Sequence, residues 1–406
     1  MYGLVTLFLG LFMVPAHATE CGIFSTYKDV LACVVTNHYE VVAATMAIEQ
    51  DKNLEAYAGQ RPNIELNSRG LVGNDSYRYG ELNLIHTVEL GGKRSARIGR
   101  AKAQLKNTEI NSLMTKERVY TLTLVALVRI RQIRDEFAVL DDALSTFSRI
   151  VRQYKSRPHL NPEQNAFLQI LEIASNDYAL QKLPLEEEFE KNSRYLQLAV
   201  GIDISKRPDL LPPYRKEWPD VQNTNTSAHL QGLDIAKVTS ELTLANANLE
   251  EAQSLSWPDL NVGPAFQTQR QFGETFNIYG LNLTFQLPIF HANGAGRAYA
   301  LAGKNVAEQI LESAKRKKQI ELDIERSHYA HIVEALKKSM TAKDIQQRHH
   351  SVEKSFSSGV VPSSLIIEIH RQMFDFTKNL GDQEVAALEA LATVYSIEGR
   401  LLTEGL

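Results

Sequence analysis

The run Tyr279-Gly280-Leu281-Asn282-Leu283-Thr284-Phe285-Gln286-Leu287 decides the fold. Tyr279, Leu281, Leu283, Phe285 and Leu287 share one parity, while Gly280, Asn282, Thr284 and Gln286 hold the other. Period-two alternation of this length predicts an extended strand with one apolar and one polar face. Three more segments alternate in the same way. Residues 63–71 set Ile64 and Leu66 against Asn63, Glu65, Asn67 and Arg69. Residues 77–90 set Leu82, Leu84, Val88 and Leu90 against Glu81, Asn83 and Thr87. Residues 259–269 set Leu260, Val262 and Phe266 against Asn261, Gly263, Gln267 and Gln269. Gly-Asn-Asp at 73–75 and a lone glycine in 270–275 supply hairpin turns, so the four strands form two hairpins.

The hairpins belong to a duplicated unit. Arg61-Pro62-Asn63-Ile64-Glu65-Leu66 is answered by Trp257-Pro258-Asp259-Leu260-Asn261-Val262, and Tyr79-Gly80 with Leu82-Asn83-Leu84 by Tyr279 to Leu283. Asn161-Pro162 corresponds to Val361-Pro362. Residues 19–200 form the first repeat: a helix, a hairpin over 62–90 and a helical hairpin over 93–200. Residues 226–402 form the second: a helix, a hairpin over 258–290 and a helical hairpin over 294–402. Residues 201–225, rich in proline, are the irregular link. Gly91-Gly92 and Gly294-Ala295-Gly296 occupy matching places, where a tight strand-to-helix turn needs small residues.

The helices are too long for an ordinary globule. Residues 94–154 contain no proline, and only Gly99 interrupts them. Ile130, Ile133, Phe137, Leu140, Leu144, Phe147, Val151 and Tyr154 step alternately by three and four, a heptad seam. Ile366, Ile369, Met373, Phe376, Leu380, Ala387, Ala390, Val394 and Ile397 keep the same register, with Gln383 the single polar lapse. Coiled-coil packing of antiparallel helices follows. Pro158, Asn161 and Pro162 turn the first hairpin; Gly359 and Pro362 turn the second.

Hydrophobic residues are 44% and net charge is −4, so no basic field points to nucleic acid. Residues 1–18 read as a signal peptide, with an apolar run over 4–14 and Ala16-His17-Ala18 as a cleavage site, although no Lys or Arg precedes the run. After the first 20 residues no stretch is expected to reach the ~20 apolar residues of a spanning helix. Cys21 and Cys33 are the two cysteines. Export permits a disulfide between them; two free thiols are the alternative.

Alternating strands suit either a self-packed sheet in water or a barrel wall in lipid. Their length favours the membrane, where about 9–11 tilted residues span the bilayer. Tyr77, Tyr79, Phe272 and Phe276 lie near the turns, where an aromatic girdle would sit. Four strands cannot close a barrel, for which about 8 or more are needed, so a membrane reading requires an oligomer. Asn63, Glu65, Asn67, Glu81, Asn83, Asn261, Gln267, Asn282, Thr284 and Gln286 are then the candidate lumen lining.

Taken together, these features resemble the TolC-like outer-membrane efflux family over about residues 28–402. The most specific stretch is 279–290, ending in Leu287-Pro288-Ile289-Phe290, with Trp257-Pro258-Asp259-Leu260 as strand entry and 359–365 leading into 391–401 as tip and closing helix. Val88-Glu89-Leu90-Gly91-Gly92-Lys93-Arg94-Ser95-Ala96-Arg97 resembles the cobalt-zinc-cadmium efflux branch. The resemblance implies an α+β membrane channel: a homotrimer with a 12-stranded β-barrel continued by a periplasmic α-helical barrel. It implies docking to a periplasmic adaptor that serves an inner-membrane transporter of the resistance-nodulation-division (RND) type, with outer-membrane lipid around the barrel. The implied role is a passive exit duct, with heavy-metal cations as cargo in the cobalt-zinc-cadmium branch and drug efflux and type I protein secretion as alternatives.

That resemblance assigns adaptor contact and aperture to Pro158, Asn161, Pro162, Glu163, Gly359, Val360, Val361, Pro362 and Ser363. It places the strand-to-helix junctions at Gly91, Gly92, Lys93, Arg94, Pro288 and Gly294. Tips of the family often carry an acid after the glycine; residues 359–365 carry none, so a hydrophobic constriction replaces an acidic gate in this reading. Lys93, Arg94, Arg97 and Arg100 form a cationic patch, either a charged ring in the assembled tube or a solvated helix start. His328 and His331, and the adjacent His349 and His350, lack a zinc-site pattern and read as surface histidines. No metal, cofactor or catalytic residue is expected, since nucleophile-elbow, Walker and dinucleotide motifs are missing from the sequence. A secreted coiled-coil binding protein remains the alternative of another class.

Overall fold

The computed structural model describes residues 21–22, 24–74, 77–221, 230–358, 362 and 364–406. The signal segment 1–18 lies outside them. Two helices, α1 (Tyr27–Asn37) and α2 (Tyr39–Ala58), lead into β1 (Glu65–Val72) and β2 (Arg78–Val88). The helical hairpin α3 (Lys93–Lys155) and α4 (Pro162–Val200) follows. The second half repeats the plan with α5 (Leu233–Ser254), β3 (Leu260–Gln271), β4 (Glu274–Phe285), α6 (Gly294–Lys338), α7 (Ala342–Ser357) and α8 (Ser364–Glu398), then a closing turn, α9 (Leu401–Glu404).

Local chemistry sets these boundaries. Thr26 caps α1, and Asp29 Oδ2 accepts the Thr26 amide at 2.7 Å, a capping box. Asn161 Oδ1 accepts the Gln164 amide at 2.8 Å, and Gln164 Oε1 accepts the Asn161 amide at 3.2 Å. Pro162 sits at the first helical position, where its missing N–H costs nothing. The Asn161-Pro162 break is thus the N-cap of α4. The β3–β4 turn places Phe272 at φ 50° and Gly273 at φ 89°, the left-handed pair of a two-residue hairpin.

A single antiparallel sheet of order β1-β2-β3-β4 unites the repeats through the β2–β3 ladder. Gly263 sits where that ladder is interrupted, and a Cβ there would lie 1.6 Å from the Leu84 carbonyl oxygen. Pro264, beside it, has no N–H to give, and no pairing is formed by Leu84 and Ile85 with β3.

The core lies among the helices. On the predicted α3 seam, Ile130, Ile133, Leu140 and Phe147 are fully buried, and Phe137, Leu144, Val151 and Tyr154 pack against them partly covered. In α8, Ile366, Ala387, Ala390, Val394 and Ile397 are buried as predicted, whereas Phe374 takes the deep position near Phe376. At 63 residues α3 is roughly 95 Å long, given 1.5 Å per residue.

Two expectations need correction. The second long helix is not continuous: it breaks at Ser339–Thr341, where Ser339 Oγ donates to the Leu336 carbonyl and Thr341 starts α7 with a capping box to Asp344. Residues Tyr27–Ala58 are, by length and composition, apolar enough to cross a membrane. They are nevertheless interrupted at His38, and Val30, Leu31 and Val34 are buried among α1, α3 and α4 residues. The link after α4 is irregular over its described residues and packs against the helices. Ile204, Leu210 and Val221 are buried, and the Pro219 carbonyl accepts the Tyr329 hydroxyl at 2.8 Å.

Candidate functional site

Strand register sorts the side chains into two faces. Glu65 lies opposite Ile85, Asn67 opposite Asn83, and Arg69 opposite Glu81. Glu81 continues to Gln267, Thr87 to Asn261, Asn261 to Thr284, and Gly263 to Asn282. Cross-strand neighbours share a face, so Glu65, Asn67, Glu81, Asn83, Asn261, Gln267, Asn282 and Thr284 are gathered on one side. Asn63 and Gln286 lie just outside the strands.

That side is hydrogen-bonded along its surface. Thr87 Oγ1 donates to Asn261 Oδ1 at 2.8 Å, Asn83 Nδ2 to Glu81 Oε1 at 2.7 Å, and Thr284 Oγ1 to Asn282 Oδ1 at 3.0 Å. Tyr79 belongs to it too, its hydroxyl donating to Glu81 Oε2 at 2.8 Å. Phe276, opposite Gln269, also lies there. Tyr79 and Phe276 therefore cannot join an aromatic girdle on the apolar face. Tyr279 can, and its ring meets Phe266 at 5.2 Å.

The opposite face carries Leu66, Leu82, Leu84, Tyr279, Leu281, Leu283 and Phe285, all exposed in the single chain. The sheet's substantial contacts are strand to strand, and β1 and β4 end as unpaired edges. Exposed apolar residues also line the long helices: Ile170, Ile173, Leu180 and Leu183 on α4, and Val306, Ile310, Ile320 and Ile324 on α6. Their spacing follows helical periodicity, so each set forms a stripe. A surface with this much uncovered apolar area marks an interaction surface.

The strand-to-helix junction is a clasp between the repeats. Gly91 and Gly92 have φ of 67° and 73°. A Cβ on Gly91 would meet Trp257 Cδ1 at 2.4 Å, so the strand entry of the second repeat seats on the turn of the first. Lys93 Nζ lies 2.7 Å from Asp259 Oδ1. Arg97 pairs with Glu89, whose carboxyl is held below its ordinary range chiefly by that hydrogen bond. Arg94 Nε donates to the Gly59 carbonyl at 2.7 Å, and Arg100 Nη1 to Glu251 Oε2 at 2.9 Å. Members of the cationic patch thus tie α2, α3 and α5 together. On the other side, Pro288 is exposed and Gly294 opens α6. Asn293 precedes Gly294 with φ 53° and donates from Nδ2 to the Ala252 carbonyl at 2.8 Å.

At the far end, Pro158, Asn161, Pro162 and Glu163 are exposed on the α3–α4 turn. Pro362 is exposed before α8, and its carbonyl accepts the Leu365 amide at 3.1 Å. Tyr154, Phe167, Phe356 and Ile366 share one cluster, so both turns lie at the same end of the helices. Gly359, Val360, Val361 and Ser363 lie outside the described residues. Cys21 and Cys33 are joined as a disulfide, with Cα atoms 5.8 Å apart.

No protein-family model matches this chain, and no curated protein matches it either. Solved structures do. The CmeC outer membrane channel of Campylobacter jejuni superposes with TM-score 0.73 at 14% identity, covering 92% of this chain and 85% of that one. The open-state MtrE outer membrane channel of Neisseria gonorrhoeae gives 0.71 at 14%, covering 92% and 89%. The outer membrane protein VceC of Vibrio cholerae gives 0.69 at 12%, covering 92% and 96%.

The chain has the TolC-like fold.

The TolC-like fold accounts for the described geometry. Its duplicated hairpins explain the β1-β2-β3-β4 order, and its paired long helices explain α3, α4 and α6–α8. Sequence reading missed the Arg131–Glu384 contact that joins α3 to α8, because pairing across 253 residues leaves no periodic signal. It also missed the Ser339–Thr341 break, although Thr341-Ala342-Lys343-Asp344 is a legible capping box.

Proposed function

We propose that this chain is an outer-membrane channel, three copies of which close a 12-stranded barrel continued by a tube of helices into the periplasm. The observation that carries this reading is the sheet itself: two unpaired edges, one apolar face without cover and one hydrogen-bonded polar face. In hydrocarbon an open edge leaves backbone groups unsatisfied, which only barrel closure cures. Joining β4 of one chain to β1 of the next supplies the missing pairing. The same closure turns Leu281, Leu283 and Phe285 toward lipid and Asn83, Asn261 and Asn282 toward water. The apolar stripes on α4 and α6 then meet neighbouring chains.

In this reading Asn63, Glu65, Asn67, Glu81, Gln267, Thr284 and Gln286 also line the lumen. The turn with Pro158, Asn161, Pro162 and Glu163, together with residues 359–363, meets a periplasmic adaptor serving an inner-membrane pump of the RND type. The channel is a passive duct. Heavy-metal cations are the proposed cargo class, on the strength of the local run Val88 to Arg97 alone.

The deciding experiment is the mass of the detergent-extracted protein by light scattering, followed by conductance in planar bilayers. Three chains and a stable conductance are expected. A water-soluble monomer would mean that the apolar faces cover one another, as in a secreted coiled-coil binding protein. At the tip, Val361→Glu is expected to reduce adaptor crosslinking and efflux; unchanged values for both would remove that placement.

A further inference from the structure

Two histidines from different helices meet in the interior beside two carboxylates. His349 on α7 and His370 on α8 are both buried, with Nε2 atoms 3.0 Å apart. Asp142 on α3 reaches them from the third side, its Oδ2 lying 3.7 Å from His349 Nε2 and 3.9 Å from His370 Nε2. Glu353, one turn after His349 on α7, brings Oε1 to 4.0 Å from His370 Nε2. One donor atom from each of the four residues falls within 4.8 Å of all the others.

We propose that Asp142, His349, Glu353 and His370 bind one divalent transition-metal ion of the zinc type, clamping α7 against α3 and α8. Two imidazole nitrogens and two carboxylate oxygens suit zinc or cobalt better than calcium or magnesium, which prefer oxygen alone. In a tetrahedral zinc site with bonds of about 2.0–2.1 Å, ligand atoms stand about 3.3 Å apart. The observed separations bracket that value, so side-chain shifts of about 1 Å complete the site. The surrounding contacts orient the ligands. The Ile366 carbonyl lies 2.6 Å from His370 Nδ1 and accepts its proton, which leaves the Nε2 lone pair facing the centre. Thr146 Oγ1 donates to Glu353 Oε1 at 3.2 Å, and the Phe147 ring meets His370 edge-on at 5.3 Å.

Without metal, His349 Nε2–H donates to His370 Nε2; metal uptake moves that proton to His349 Nδ1 and frees the second lone pair. Asp142 is 47% exposed at its side chain, so the ion has a way in from solvent. His349 sits about 12 Å along α7 from its end at Ser357, in the segment that the Ser339–Thr341 break separates from α6. Because α7 packs chiefly on α8, a metal bridge to Asp142 would strengthen the α3 connection that Thr146 and Glu353 already make. The proposal stands on this cluster and is independent of whether the protein conducts.

The test uses the full detergent-extracted protein, stripped with a chelator and dialysed. Zn2+ is titrated by calorimetry, and Co2+ by its tetrahedral visible absorption. One ion per chain, a higher Tm with Zn2+ and a cobalt spectrum of two-nitrogen character are expected. His349→Ala and His370→Ala should each weaken binding by more than the roughly 100-fold that loss of an outer-shell partner costs. The double variant His328→Ala/His331→Ala, on exposed positions of α6, should bind as the wild type does. Equal stoichiometry and affinity in the buried-histidine variants, or no ion in the wild type, would overturn the proposal and leave a hydrogen-bonded histidine pair. Should those variants fail to fold, x-ray absorption on the wild-type zinc adduct decides. Two imidazole nitrogens support the site, and an all-oxygen shell overturns it.

Discussion

Arg131 of the first repeat and Glu384 of the second form a buried ion pair across 253 residues of chain. The same guanidinium donates to the Pro212 carbonyl at 2.9 Å and lies 3.9 Å over the Tyr214 ring. Gln132 Nε2 donates to Glu384 Oε2 and to the Gly381 carbonyl, both at 3.0 Å. One polar knot therefore fastens α3, α8 and the inter-repeat link.

Removing one partner strands the other charge away from water. Glu384→Ala is expected to destabilise the helical body by about 3–5 kcal/mol. The double change Arg131→Met with Glu384→Leu should cost far less, because no unpaired charge remains. Thermal unfolding of both variants beside the wild type checks the difference.

The knot also shows where sequence periodicity stops being informative. Gln383 is the polar lapse in the α8 seam, yet it is exposed, and its neighbours Gly381 and Glu384 do the packing. A heptad count registers only that apolar residues are missing there. It cannot register that a buried pair from a distant helix has replaced them.

Gly263 tests the sheet. Gly263→Ala would drive a Cβ to 1.6 Å from the Leu84 carbonyl oxygen, at the interruption of the ladder that joins the two hairpins. A cost of about 3 kcal/mol, the upper end for overpacking, is expected. The readout is a lowered Tm, with helical circular dichroism retained at low temperature. Gly280→Ala, where a Cβ meets open space, should be tolerated.

Gly91 and Gly92 separate strain from collision. Both have positive φ, so alanine costs about 1–2 kcal/mol at each. Only at Gly91 does the new Cβ strike Trp257, at 2.4–2.5 Å from Cδ1, Cβ and Cγ. Gly91→Ala should therefore lower Tm by clearly more than Gly92→Ala, and Trp257→Ala should restore part of that loss. Equal effects of the two glycine changes would show that the Trp257 contact is not tight.

Glu117 predicts a pH dependence. Burial raises its carboxyl above the ordinary value; the Ser396 hydroxyl, 2.6 Å away, opposes this, and Asp234 adds to it. The folded chain then holds a proton at pH values where the unfolded chain has released it. Its contribution to stability grows as pH falls from above the folded value toward the unfolded value of about 4.3, and is constant below. Glu117→Gln should raise Tm at about pH 7, and the advantage should vanish near about pH 4. A constant difference across that range would assign the effect to packing alone.

What the sequence by itself determined is whatever repeats with a short period. Alternation placed the four strands within a few residues, except that β4 begins at Glu274 and so runs further toward its turn than the clearest stretch around Tyr279 suggests. Heptads placed the seam from Ile130 to Tyr154, and the Asn-Pro motif placed the α3–α4 turn. These features follow from contacts between near neighbours, which leave their spacing in the chain. Tertiary structure alone decided which residues meet at long range. It joined the two hairpins through the β2–β3 register, and turned the cationic patch into a clasp around Gly59, Glu89 and Glu251. It also separated His349 from its adjacent His350 and set it against His370, 21 residues away. Such pairings depend on how helices pack and strands register. Packing interactions weaken with distance in space rather than with sequence separation, so one chain read alone does not record them.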